Sequence, residues 1–309
     1  MGLLRLFHRR GDSVSKDDAK KIEEVADICD ESECCVDCSQ EDADLEELDR
    51  IFDKLKIDKS EALFNTSKAP KIHFVVPTSQ KDWEHDACAE NDKSVEYKIS
   101  EWCKSNGGRF SDVGQGNSFT TAVSSLPKDI MDIQVMRGTK NNVLVLPFFI
   151  WINDLEATKV DETLEELVPI LLNRSVSREQ LLREKPYLSE AREQAFVFIC
   201  SHAKRDKRCG ITAPYLKKTF DKSLQNIGLY RDISDARPNG VNVAFVNHVG
   251  GHKFAANLQL FLKKNNSLIW LARITPTNVP CVVDGIILPE KPKLPWPEKV
   301  RCIQKYPQW

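Results

Sequence analysis

Two short apolar, β-rich runs, residues 196–199 and 241–246, lie either side of one helical stretch, and each runs into side chains that bind metals. The first ends at Cys200 in FVFICSHAKRDKRCG, with Cys209 beyond it. The second leads to His248 and His252 in VAFVNHVGGHKFAANL. Eight residues separate the cysteines and three separate the histidines. Two histidines four apart would share one face of a helix, but Gly250-Gly251 between them argues against a helix and for a strand running out into a loop. Four donors then converge from two loops. Zinc accepts two thiolates and two imidazoles, yet its familiar modules close each cysteine pair over about two to four residues. Two-iron clusters are held by thiolates at varied spacing and tolerate histidine in place of two of them. The residues alone leave iron–sulfur, zinc and no metal all open.

A chain of 309 residues with 41% hydrophobic and 29% charged residues is a soluble globular chain, long enough for two domains. Its net charge of -2 hides an uneven layout, because Asp17 to Arg50 holds fifteen acidic residues against Lys20, Lys21 and Arg50. That stretch reads as a solvated, weakly folded arm. No run approaches the roughly 18 apolar residues of a membrane span, so no integral membrane association is expected. Gly2 is present, but Leu6 stands where a myristoylation signal wants Ser or Thr. Acidic residues from Asp12 onward argue against an organelle presequence, and the expected location is the cytoplasm. Ten cysteines in that compartment are expected to be reduced thiols. Cys29, Cys34, Cys35 and Cys38 read as a thiol-rich part of the arm. Cys88, Cys103, Cys281 and Cys302 read as ordinary buried or half-buried residues.

The sequence divides into an acidic, largely disordered arm at 1–68, a smaller α/β domain with a helical connector at 69–193, and a second domain at 194–309. In the middle part, KIHFVVP predicts a strand, Val95, Ile99 and Trp102 a helix, and 122–126 and 143–152 further buried runs. Leu164, Leu167, Val168 and Leu171 line one helix face, and Ser177 with Gln180 resembles a capping box. The last part reads βαβ then ββα. Its helix is capped at Thr212 with Pro214 in the first turn, KKNNS forms a hairpin turn, and 279–287 is a final helix. No convincing internal repeat is visible. The connectivity is that of a thioredoxin-like domain, with its first two strands parallel through a right-handed crossover.

The strings CSHAKRDKRCG and HVGGHKFAANL, about forty residues apart, resemble the thioredoxin-like ferredoxins of the sucrase/ferredoxin-like family. The likeness covers nearly everything after the arm, from PKIHFVVPTSQ through SSLPKDIMDIQVMRGTKNNVLVLP to PEKVRCIQKY. It implies an α/β chain whose C-terminal domain is the ferredoxin unit, holding a 2Fe-2S cluster on Cys200, Cys209, His248 and His252. No Cys-x-x-Cys occupies the first strand-to-helix turn, which disfavours thiol exchange. His202 in the ligand loop is a rival ligand, a hydrogen-bonding neighbour, or an exposed loop histidine.

Mixed ligation leaves an oxidised cluster near zero charge, so its potential should exceed that of an all-cysteine centre. Imidazole ligands would also link electron uptake to proton uptake. The expectation is an electron carrier or redox sensor rather than an enzyme, with a redox partner protein and no nucleic acid. Lys204, Arg205, Lys207, Arg208, Lys217 and Lys218 would steer an acidic partner or form a solvated face, with Asp206 making local ion pairs. Trp309 resembles the terminal residue by which client proteins dock on the cytosolic iron–sulfur assembly machinery, or it simply packs on the surface. The alternative reading is a zinc-stabilised adaptor linked to actin organisation, in which the four side chains only hold loops together.

Overall fold

The run IHFVVP is buried at every position from Ile72 to Pro77, the pattern of a strand covered on both faces. It belongs to a ten-stranded mixed sheet in the computed structural model, which describes residues 14–29, 43–110, 119–232 and 235–309. In chain order the strands are β1 (Ile72–Pro77), β2 (Phe119–Ser124), β3 (Lys140–Leu146), β4 (Ile150–Glu156), β5 (Leu188–Glu190), β6 (Ala195–Cys200), β7 (Val241–Val246), β8 (Leu258–Leu262), β9 (Ser267–Leu271) and β10 (Val300–Lys305). Their order across the sheet is β10-β9-β8-β6-β7-β2-β1-β3-β4-β5.

That order reads the same from either edge. In the first half β1 crosses through helix α1 (Val95–Asn106) to the parallel β2, and β3 then returns antiparallel to β1 and pairs with β4. In the second half β6 crosses through helix α3 (Lys207–Asn226) to the parallel β7, and β8 returns antiparallel to β6 and pairs with β9. Each half closes with a helical stretch and an antiparallel edge strand. These are α2 (Val160–Asn173) with β5 in the first half, and residues 276–287 with β10 in the second. The halves are therefore two copies of one topology. They meet at a seam where β2 and β7 run antiparallel and pair only at Ser124 and Val246. Side chains reinforce it: Asn247 Oδ1 accepts from the Val123 amide at 3.1 Å, and Ser125 Oγ accepts from the Phe245 amide at 2.8 Å.

The sheet bends sharply here. Strands β1 and β8 are four places apart, which in a flat sheet is about 19 Å. Yet His73 on β1 and Phe261 on β8 stack with ring centroids 5.6 Å apart and planes 5° apart. The two halves thus face each other across a core that includes Val75, Leu144, Phe196, Phe198, Phe261 and Leu268. Helices cover the outer faces, and their apolar stripes are the predicted ones: Val95, Ile99 and Trp102 on α1, and Leu164, Leu167, Val168 and Leu171 on α2, are all buried.

Several boundaries differ from expectation. Helix α3 starts at Lys207, capped by Asp206 rather than Thr212, so Pro214 lies inside it. The run 143–152 is a hairpin, with Pro147 to Phe149 turning between β3 and β4. Parts of the acidic arm are ordered: helices Lys16–Glu23 and Ala43–Asp53 bury Ile22 and Phe52, and Asp49 accepts hydrogen bonds from the Thr277 amide and hydroxyl. An apolar stripe within a charged stretch is enough to anchor a helix against a core. Cys34, Cys35 and Cys38 lie outside the described residues. Cys29 and Cys281 are disulfide-bonded, against the expectation of reduced thiols throughout. Among the described residues no helix is long and apolar enough to cross a membrane.

Candidate functional site

The end of β6, the start of α3 and the exit from β7 meet at one corner, and they bring the predicted residues together. Cys200 closes β6, with its amide donating to the Asn257 carbonyl at 3.2 Å. Cys209 lies in the first turn of α3, where its amide donates to the carbonyl of the cap residue Asp206 at 3.1 Å. The chain folds back between strand and helix, so eight intervening residues do not keep the thiols apart. Both are buried and pack with Ala255, Ile57 and Val249. A hydrogen bond from Cys209 holds the Cys200 thiol well below the usual range, and His248 adds to this against the opposing effect of burial. Cys209, as the donor, is pushed up by that bond and by burial.

The histidines form a second pair. His252 Nδ1 and His248 Nε2 are 3.4 Å apart, with ring centroids 5.0 Å apart, and His252 Nε2 lies 3.9 Å from Asp206 Oδ2. As expected, no helix joins them. Gly251 is left-handed at φ +67°, and the 3-10 turn His252–Phe254 follows. A Cβ on Gly251 would stand 2.5 Å from the Arg301 guanidinium, so only glycine fits.

Arg301 is the residue that sequence reasoning missed. It is 2% exposed, donates to the Gly250 carbonyl (2.9 Å), Asn257 Oδ1 (2.8 Å), Thr66 Oγ1 (3.1 Å) and the Thr66 carbonyl (3.1 Å), and lies over the rings of Trp270 and Phe254. All four acceptors are neutral, and burial draws the guanidinium down to about 10. Asn257 Nδ2 also donates to the Gly251 carbonyl at 3.1 Å, so two side chains fix the loop that spaces the histidines. The available signal was an arginine set inside the β-rich string VRCI.

His202 is neither a ligand nor an exposed loop histidine. Its Nδ1 accepts from the His248 amide at 3.2 Å and its Nε2 bonds the Trp83 carbonyl at 2.9 Å. Both ring nitrogens are used, which fixes the tautomer with the proton on Nε2. Trp83 belongs to a loop of the first half that roofs the corner, where Ser201 Oγ also donates to the Lys81 carbonyl at 2.7 Å. Most of the basic cluster is already paired: Lys204 with Glu84, Arg208 with Asp206, and Lys217 with Asp221, while Arg205 bonds His85. Trp309 packs on the first half, its Nε1 donating to the Val176 carbonyl at 2.8 Å and its ring edge-on to Phe148 at 5.8 Å.

The donor types at the corner suit a soft metal, and His248 Nδ1 is buried without a partner. The four side chains, however, hydrogen-bond one another in a row, Cys209 to Cys200, Cys200 to His248 and His248 to His252, rather than forming a coordination shell. Among the described residues no group of three or more His, Cys, Asp or Glu side chains is placed to hold a metal ion.

The chain belongs to the sucrase/ferredoxin-like family, whose profile matches residues 63–302. It is 59% identical over its whole length to Actin patches distal protein 1 of Saccharomyces cerevisiae, covering all of that protein. Over about a third of each chain it is 37% identical to Altered inheritance of mitochondria protein 32 of Debaryomyces hansenii and 29% identical to the protein of that name from Candida glabrata. No solved structure matches the chain.

These findings correct the expectation of a 2Fe-2S electron carrier or redox sensor with proton-coupled reduction. The described side chains form no group placed to hold a metal ion, and the full-length relative is named for actin patches, not for electron transfer.

Proposed function

We propose that this chain is a non-enzymatic adaptor in the organisation of actin patches, working in the cytoplasm at the cell cortex. The observation that carries the reading is its 59% identity, end to end, with Actin patches distal protein 1. Its two halves are read as thioredoxin-like units used as scaffold, and the repeated β-α-β-β-β order supports that. In this role Cys200, Cys209, His248 and His252 clasp the loops after β6 and β7. Any ion they take is structural, and zinc is the one whose donor preferences match two thiols and two imidazoles.

Two measurements test it. Removing the chain from its cell should change the distribution of stained cortical patches, re-expression should restore it, and a tagged copy should lie at the patches. An unchanged distribution with the tagged copy elsewhere overturns the proposal. Metal analysis of protein prepared without oxygen should find no acid-labile sulfide, whereas stoichiometric iron and sulfide would return the corner to electron transfer.

A further inference from the structure

A cavity of about 270 Å³ opens where both halves contribute side chains, and positive charge prevails around it. The first half supplies Phe149 from the turn between β3 and β4, and Arg174 and Arg178 from the segment after α2. The second half supplies Lys263, from the turn between β8 and β9, and Trp309. Three cations thus line the cavity against one carboxylate, that of Glu190 on β5. A terminal carboxylate on Trp309 would still leave the lining positive. Charges of one sign set round a concave, partly apolar wall focus their field into the space between them.

The three cations are not equally satisfied. Arg178 and Lys263 share Glu190 Oε1, at 3.1 and 2.8 Å, and solvent still reaches both, their side chains being 19% and 32% exposed. Arg174 is half-buried and finds only neutral acceptors: its Nη1 and Nη2 donate to the Leu172 and Pro307 carbonyls at 3.2 and 3.1 Å. Burial accordingly draws its guanidinium below the usual arginine range. Each Nη nitrogen of Arg174 keeps a second hydrogen. Lys263 spends two of its three on Glu190 and the Ala191 carbonyl and keeps one. Unspent charged donors beside a cavity call for an anion, because hydrogen bonds between ionised partners are the strong ones. The rest of the wall is flat and apolar. The Trp309 ring lies 5.9 Å from the Arg178 guanidinium, and the Phe149 ring 6.0 Å from the Lys263 ammonium. The volume is near the small end of ligand pockets.

We propose that this cavity binds a small monocarboxylate with a flat apolar body, its carboxylate taken by Arg174 and Lys263 and its body laid against the Trp309 and Phe149 rings. One negative charge answers the cation that lacks a counter-ion, and a ring covers apolar surface that a bare inorganic anion would leave open. The site is independent of the adaptor reading.

The test uses the full-length chain and benzoate, with benzamide as the same shape without the charge and inorganic phosphate as charge without the ring. Titration followed by nuclear magnetic resonance should move the Trp309 indole N–H signal saturably with benzoate, and binding should weaken as salt is raised. Benzamide and phosphate should each bind at least about tenfold more weakly. Arg174→Gln should remove most of the advantage of benzoate over benzamide. The comparison of probes on the unchanged protein decides the matter even if the variant fails to fold. No shift at millimolar benzoate, equal binding of benzamide, phosphate binding as tightly as benzoate, or an undiminished preference in folded Arg174→Gln would overturn the proposal.

Discussion

Arg301 shows how much a single buried cation can organise. It supplies donors to two oxygens of the site loops, the Gly250 carbonyl and Asn257 Oδ1, and to two of Thr66, with aromatic rings on its flanks. Replacing it by methionine keeps the volume but leaves those acceptors buried and unpaired. Arg301→Met should lower unfolding stability by about 2–4 kcal/mol in urea melts. An unchanged midpoint would show that the loop holds itself. His73 gives a pH prediction with a definite sign. Its folded-state value lies below the ordinary 6.5, at about 4, because burial disfavours the charged ring. Its contribution is therefore intact above pH 6.5 and is lost as pH falls through 4, amounting to roughly 3 kcal/mol. Stability measured between pH 7 and 4 should fall less in His73→Gln than in the parent, and parallel curves would refute this. At this scale the sequence disclosed the corner's four residues, because soft donors at strand ends are rare. It hid Arg301, because an arginine near a chain's end reads as solvated until the strand it sits on is seen to be covered.

The elements were legible wherever apolar spacing was unbroken. Strands 72–77, 196–200 and 241–246, the stripes of α1 and α2, and the hairpin around KKNNS all stand where the pattern puts them. The start of α3 did not, because Asp206 caps as well as Thr212 would and lies six residues earlier. Nor could local pattern reveal the seam, which depends on the single pair Ser124–Val246 and two side-chain bonds. Ser125→Ala should cost about 1 kcal/mol and speed amide exchange in β2 and β7 while leaving β4 and β9 unchanged. Uniform protection across all four strands would mean that the facing core, not the seam, joins the halves.

For the molecule as a whole, the sequence named the family and missed the repetition. Topology is encoded by which runs are apolar and how long the connections are, and two halves can share both without sharing residues. The function expected from the corner also failed at this scale, since matching donor types did not guarantee that the side chains gather into a shell. Trp309 ties the last strand's end to Val176 and Phe148 in the first half. Trp309→Ala should lower stability by about 1–3 kcal/mol in thermal or urea melts. No loss would show the indole to be an idle passenger, free for another use.

The palindromic strand order carries a final implication. Two identical five-strand subunits related by a twofold axis would make the same edge-to-edge contact as a homodimer, so this polypeptide holds its dimer mate covalently. Fusion releases the twins from having to stay alike: one could keep the thiol and imidazole corner while the matching loop of its sibling became the roof above it.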